Sequence, residues 1–446
     1  MSAMTSSRAK PRLASKVHHS RRSFMGRLAL GAAATAAVQA ADAALRTGLA
    51  ELESELQSLA AGRDYWRRLR REFDFHPGLI HLNCATIGAC PRLVLDTVTT
   101  WLRHVEGDPV QYAFGAPGDA GERAAEFLGA TRDELLLTRN TTEGMNAIAM
   151  ALRLQPGDEV LTTNHEHPSG SNGWMFLARH YGIKPVFVEI PAPARTAREI
   201  LDLIAAKLTD RTRVCSFSHV ETLTGLVMPL ADIAKLTRPR GILLVCDGAQ
   251  APGMLAIDVK KLDVDTYASS SHKWMLAPKG SGLLYVRKEA QPRLPLPTGF
   301  GQPFYSASGG TQNVAGILGH AAAMAFHQVL GRKRVEARCR ELSGYLRKQV
   351  GAIGGVRLLS PADDSLSAPG ISTFAFERVK SADLAAKLYQ NHHIQTRVVP
   401  PTYGGISTGQ GRLQDYNALR ISTHIFNDES EIDRLAKALE KEMAAP

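Results

Sequence analysis

The chain has 446 residues, 44% hydrophobic and 22% charged, with a formal net charge of +10. This is ordinary globular composition, too apolar for a disordered protein and long enough for one large domain with a smaller one. The charge invites a nucleic-acid reading until it is located. Residues 1–43 hold seven Lys and Arg against Asp42 alone, a net of +6, which leaves +4 for all the rest. That is not a nucleic-acid footprint.

The basic segment contains SRRSFMGRLALGAAATAAVQAADA: twin arginines at Arg21 and Arg22, then Phe24, an Ala-rich run from Leu28 to Ala41, and small residues in A-x-A spacing at Ala41 and Ala43. It resembles a twin-arginine export signal. The expectation is a signal peptide over 1–43, recognition by the twin-arginine machinery and a periplasmic mature protein; the alternative is a basic tail on a cytoplasmic enzyme. No other apolar run approaches the roughly 20 residues of a membrane span, so stable membrane insertion is not expected. The next stretch, 44–84, carries the helical LAELESELQSLA and reads as an arm that wraps against the body or a partner. Five cysteines (Cys84, Cys90, Cys215, Cys246 and Cys339) show neither C-x-x-C nor zinc spacing, which argues against a disulfide framework.

From about residue 130 apolar runs alternate with helical periods, the pattern of a mainly parallel sheet covered on both faces. Predicted strands are ELLLT (134–138), EVLTT (159–163), PVFVEI (185–190), RVCSFS (213–218), GILLVCD (241–247), DTYASS (265–270) and GLLYV (282–286). Most run into polar or glycine-rich residues, and ligands of such sheets bind at those carboxyl ends. After the Pro-rich linker 291–303 the pattern changes to two long helices, then ISTFAF, a helix, IQTRVV, ALRIS and a last helix. The domains expected are a large one over 85–305 and a small α+β one over 306–446.

Several strand ends carry chemistry. In ASSSHKWMLAPKGSG (268–282) a long cation follows a strand that enters the interior. Lys273 is either a surface lysine at a strand end or a desolvated nucleophile that forms a Schiff base with a carbonyl cofactor. Asp247 closes the apolar run ILLVC and opens DGAQ. It is either a helix N-cap or an acid that keeps a pyridine nitrogen protonated, the role such a carboxylate plays for pyridoxal phosphate. Asn140, Thr141 and Thr142 precede a periodic helix, where backbone N–H groups favour an anion; the same residues also serve as caps. His165 and His167 lie just past another strand. A lone H-x-H lacks a third metal ligand, so an imidazole flat on an aromatic ring is the better use.

Taken together, T-T-E, E-H, D-G-A-Q, S-S-H-K and a late L-R-I-S resemble the class V branch of fold-type I pyridoxal-phosphate enzymes. The likeness runs from PGLIHLNCATIGACPRLV near 78 to RISTHIFN near 427 and is nearest in flavour to the isopenicillin N epimerase-like group, through HLN-x-x-x-I-G-x-x-P, VEGDPV and SHVETLTGLVMPL. The resemblance implies a fold-type I α/β protein, a seven-stranded large domain, a small C-terminal domain and a homodimer. It makes Lys273 the cofactor's covalent anchor and proton carrier, Asp247 the partner of the pyridine nitrogen and Gln250 that of the phenolic oxygen. His167 stacks on the ring, and Thr141, Thr142, Ser270 and His272 hold phosphate. Thr311 in GGTQN reaches the neighbouring subunit's phosphate. Arg420 clamps a substrate carboxylate, with Arg397 a second cation for the same region. His219 stands where many relatives place asparagine, and the loop NHHIQTRVVPPTYGG has no cysteine, unlike desulfurases. The implied activity is chemistry at the α-carbon or amino group of an amino acid, free or in a peptide or siderophore-like substrate: transamination, epimerisation or elimination, and not cysteine desulfuration.

Overall fold

The structure, a computed structural model, describes residues 21–59, 62–112, 120–296, 311–400 and 415–444, with side chains from residue 40 onward. A first short strand, β1 (Ile80–His81), precedes a seven-stranded sheet formed by β2 (Leu135–Thr138), β3 (Glu159–Thr163), β4 (Lys184–Val188), β5 (Thr212–Ser218), β6 (Leu243–Asp247), β7 (Thr266–Ser270) and β8 (Gly282–Val286). Their order is β2-β8-β7-β6-β5-β3-β4. Only β8 runs antiparallel to its neighbours; the other pairings are parallel. The seven expected strands are therefore the seven observed, within a residue or two at their ends. The apolar runs are continuous because both faces are covered: Leu135, Leu137, Phe217 and Tyr267 point into one helical layer, and Leu136, Val214, Val245 and Ala268 into the other. A strand buried on both sides has no polar face to alternate with.

The second sheet is antiparallel, built from β9 (Val356–Leu358), β10 (Ile371–Phe376), β12 (Arg397–Val398) and β13 (Ala418–Ser422) in the order β12-β13-β10-β9; β11 (Ile394–Gln395) pairs instead with β1, in parallel. Helices Arg332–Gly351, Ser381–His392 and Glu429–Ala444 supply its apolar cover through Leu346, Leu388 and Leu435. The helix Val314–Leu330, inside the stretch expected to be small domain, packs on helices Arg92–Gly107 and Ala120–Leu128, and its Met324 and Phe326 join the core beside the large sheet. A long helix, Arg21–Ser58, buries Leu49, Leu52 and Leu56 against the same core. No single helix among the described residues is long and apolar enough to cross a membrane.

This arrangement brings the carboxyl ends of the parallel strands to one edge of the large sheet, facing β12 and β13. Ligands of open α/β sheets bind at such an edge.

Candidate active site

A cavity of about 370 Å³ lies between that edge and the small sheet. It is lined by Thr141, Thr142, His167, Asp247, Gln250, Ser270, His272, Lys273, Arg397 and Arg420. These are all the site residues expected from the sequence except Thr311, which is exposed and lies outside this cavity.

Lys273 sits in the connection between β7 and β8, whose antiparallel pairing returns the chain beside itself. A close contact fixes that turn. Gly88 donates its N–H to the His272 carbonyl at 2.9 Å, and a Cβ on Gly88 would stand 2.0 Å from the Lys273 carbonyl oxygen. Only glycine allows the Ile87-Gly88 strap to lie there. Burial lowers the Lys273 ammonium to about 8; Asp247 opposes the shift and Arg420 reinforces it. A lysine in such a setting reaches its neutral, nucleophilic form near neutral pH.

Asp247 ends β6, 5% exposed. Its Oδ1 accepts the Ala249 N–H at 2.9 Å, while Oδ2 is turned toward Gly170, whose missing side chain makes the room. Burial raises this carboxyl above the ordinary range, against the pull of the Ala249 N–H and Lys273. A buried acid of this kind calls for a cationic or strongly donating partner.

Thr141 opens the helix Thr141–Ala151, capped by Asn140, whose Oδ1 accepts the Glu143 N–H at 2.9 Å. The Thr141 N–H donates to Ser270 Oγ at 2.9 Å, and the two hydroxyls lie 2.9 Å apart. Helix terminus, hydroxyl pair and the end of β7 thus meet at one point, the donor set an anion needs. Beside it the buried His272 Nδ1 has no hydrogen-bond partner among the described residues, and burial, with the Lys273 and Lys279 charges, lowers the ring to about 4. His167 caps helix Pro168–Tyr181 by accepting the Ser169 N–H at 3.1 Å on Nδ1. Burial together with the charges of Lys273, Arg420 and Arg397 lowers it to about 4, so it faces the cavity as a neutral ring.

The wall contributed by the small sheet is cationic. Arg420 is 5% exposed. Its Nη1 donates to the Thr222 carbonyl at 3.0 Å and to Thr222 Oγ1, and its Nη2 donates to Thr86 Oγ1 at 2.8 Å. Nε has no partner among the described residues. Burial lowers the guanidinium to about 10, and the charge of Arg397 adds to this.

Three further placements were not evident from the sequence. Gln250 is held by protein on both ends of its amide: Nε2 donates to Ala85 O (2.9 Å) and Thr222 Oγ1 (3.2 Å), and Oε1 accepts from Trp274 Nε1 (2.7 Å). His165 does not face the cavity; it is fully buried, with Nδ1 2.8 Å from Glu221 Oε2 and Nε2 2.9 Å from the Tyr416 hydroxyl. His219 is likewise tied elsewhere, its Nδ1 2.9 Å from the Tyr267 hydroxyl, whereas Thr222, three residues on, lines the cavity. Among the described residues no His, Cys, Asp and Glu cluster has the makings of a metal site.

Glu166, the acid of the E-H pair, is given no role of its own by the sequence. It is buried and accepts from Thr163 Oγ1 (2.9 Å), the Ser218 N–H (3.0 Å) and Ser218 Oγ (2.5 Å). Burial raises it to about 8, with Asp247 and Glu221 adding to the shift and Ser218 opposing it.

Comparison with known proteins gives this geometry its class. The family model for aminotransferase class-V matches residues 111–435. Isopenicillin N epimerase of Streptomyces clavuligerus is 30% identical over 400 residues, covering 84% of this chain and 98% of that protein. A probable cysteine desulfurase of Xylella fastidiosa is 28% identical over 412 residues, covering 84% and 95%. Among solved structures, the apo cysteine desulfurase from Thermococcus onnurineus NA1 superposes with a TM-score of 0.70 at 21% identity, over 84% of this chain and 98% of that one. The fold is that of fold-type I pyridoxal-phosphate enzymes. The chain belongs to the aminotransferase class-V family and its cofactor is pyridoxal phosphate.

The residues present fit that cofactor. Lys273 is half-buried with a lowered pKa, Asp247 is a buried acid in need of a positive partner, and the Thr141, Ser270 and His272 corner is a ready phosphate seat with an unpartnered ring nitrogen. Bound there, pyridoxal phosphate supplies an electron sink that acidifies the α-proton of an amino acid.

Proposed function

We propose that the protein moves the α-proton of an amino acid, free or carried by a peptide, and that it is exported and acts as a homodimer. The observation that carries this reading is the pairing, in one cavity, of Lys273 with a lowered pKa and Arg420 without a carboxylate partner among the described residues. Arg420 supplies a two-pronged clamp for a substrate carboxylate. Lys273, near neutrality in its proton affinity, takes and returns the proton. Thr222 and Thr86 hold the Arg420 fork in place, so the α-carbon is presented to Lys273 in one orientation. Asp247 would hold the cofactor's ring nitrogen in its charged form, and the neutral His167 faces the cavity.

Likeness to proteins named isopenicillin N epimerase supports return of the proton to the opposite face. Likeness to desulfurases does not supply the thiol that chemistry needs. All five cysteines are buried and none lines the cavity. Thr311, exposed and away from the cavity of its own chain, supports a role at the partner's phosphate.

The test is to incubate the purified protein with amino acids in deuterium oxide and follow loss of the α-proton signal. Exchange that vanishes in Lys273→Ala, while the variant stays folded, is expected. A keto acid product marks transamination and inverted amino acid marks epimerisation. Release of a side-chain group without α-proton exchange overturns the proposal.

A further inference from the structure

The small-sheet wall holds more positive charge than one amino acid carboxylate neutralises. β12 and β13 run antiparallel with Arg397 directly opposite Arg420. Residues so paired project from the same face with Cβ atoms roughly 5 Å apart, and like charges there destabilise the sheet. Both arginines line the cavity, and neither forms an ion pair with a carboxylate among the described residues.

The rest of the wall offers no compensation. Among the described residues Asp247 is the one acidic residue lining the cavity, and it ends β6 on the large-sheet side, next to Lys273. The two arginines also differ in depth. Arg420 is 5% exposed and fixed by Thr222 and Thr86, whereas Arg397 is exposed at the rim. An uncompensated cross-strand cation pair is costly in the empty protein, and a ligand with two negative groups removes the cost.

We propose that Arg397 is a second anion subsite, so that the substrate is an amino acid with two acidic groups, the α-carboxylate on Arg420 and the second on Arg397. This rests on the reading of Arg420 as the α-carboxylate clamp and adds the substrate's chemical class. The outer position of Arg397 places the second acidic group toward solvent, where a longer side chain or the remainder of a peptide leaves the cavity.

Probes without an amine separate this claim from the proton chemistry. Binding of glutarate and of its monoamide to the full, cofactor-loaded protein is measured by calorimetry. Glutarate should bind about tenfold tighter or better, since each lost tenfold reports one missing charge-assisted contact. Arg397→Gln should abolish the preference while leaving the monoamide's affinity unchanged, and Arg397→Lys should restore part of it. Melting of the variants is measured alongside, and an exposed position should leave it unaltered. Equal binding of the two probes by the unaltered protein would mean that both arginines serve one carboxylate, and the proposal fails. So it does if Arg397→Gln weakens both probes alike. Either result stands whether or not α-proton exchange is observed.

Discussion

Gly170 is what lets Asp247 occupy the cavity edge: a Cβ at position 170 would stand 2.5 Å from Asp247 Oδ2 and 3.4 Å from its Cγ. Gly170 lies in the first turn of helix Pro168–Tyr181, which begins immediately after the His167 cap. Two contributions to the cofactor site, a cap that faces the cavity and a gap that admits a carboxylate, therefore come from four consecutive residues. Replacing glycine in a helix by alanine ordinarily gains about 1 kcal/mol. Here the gain is opposed by displacement of a buried acid.

Gly170→Ala should therefore keep its melting temperature within a few degrees of the unaltered protein but hold pyridoxal phosphate at least about tenfold more weakly, a loss of about 1.4 kcal/mol. Dialysis against buffer followed by absorbance of the retained cofactor measures it. Full retention would mean that Asp247 moves without consequence and does not serve the ring.

Stability should fall in acid, and buried histidines are the cause. His320, His327 and His424 are at most 1% exposed. Burial lowers His320 and His327 to about 3 and His424 to about 4, with neighbouring charges adding to the shift for His327 and His424. Below about pH 6.5 the unfolded chain takes up protons that these rings refuse in the fold. Each then costs up to ~1.4 kcal/mol per pH unit between 6.5 and its folded value. Glu166 acts in the opposite sense: raised to about 8, its contribution is complete below about 4.5 and fades as pH rises toward 8. The three histidines outweigh it. In His327→Gln the stability deficit relative to the unaltered protein should shrink as pH falls from 7 to 5, followed by denaturant titration. A deficit independent of pH would mean that His327 takes up its proton in the fold as readily as in the unfolded chain, and this account of the acid loss would fail.

The seven strands of the large sheet were readable because burial on both faces writes an uninterrupted apolar run, and most of the site because its residues stand where those runs stop. Asp247, Ser270 and Thr141 all mark a strand end or a helix start. What escaped has no such local mark. Thr222 and Thr86 hold Arg420 across 198 and 334 residues of sequence. Glu166 finds Ser218 only because β3 and β5 are neighbours. His165 resembled a site residue because it follows a strand, but its partners Glu221 and Tyr416 turn it into a buried strut. The helix Val314–Leu330 read as small domain from its place after a Pro-rich linker; which sheet it covers is a matter of packing, not of periodicity.

Export is proposed from the twin arginines Arg21 and Arg22 ahead of the Ala-rich run. Among the described side chains of the helix Arg21–Ser58, Ala41 packs on the cluster that contains Trp101 and Val314, and Leu45 and Leu49 pack on the main core. Removal of the segment up to about residue 43 would leave the contacts of Leu45, Leu49, Leu52 and Leu56 in place. Changing Arg21 and Arg22 together to lysine should hold the longer precursor in the cytoplasm, read by fractionation and immunoblot. Undiminished periplasmic protein from the double variant would overturn the proposal.

Cysteine should be a poor sulfur donor for this enzyme, despite the likeness to desulfurases. Their chemistry requires a thiolate that attacks the substrate sulfur, and a thiol becomes a thiolate near neutrality only in an exposed, electropositive setting. The cavity is electropositive, but no cysteine enters it. Cys84 comes nearest, and there its Sγ points at the Lys273 carbonyl oxygen, 3.7 Å away. Burial raises it well above its ordinary value, although Lys279, Lys273 and Arg420 pull it down. Cys215 and Cys339 are pushed up to about 12 by burial, and Cys246, beside Asp247, is also raised. Cys90 is buried and raised as well, with its sulfur 4.0 Å from the Lys279 ammonium. The sequence 391–414 contains no cysteine. With no thiolate available, proton transfer by Lys273 is what the pocket's own groups supply. Incubation with cysteine and a reductant, with sulfide and alanine followed over time, should give turnover far below that of ordinary enzymes. A rate on the order of 1 per second or more would overturn the claim. Loss of that rate in Cys84→Ala but not in Cys339→Ala would then identify a thiol that reaches the cavity only when the Lys273 turn opens.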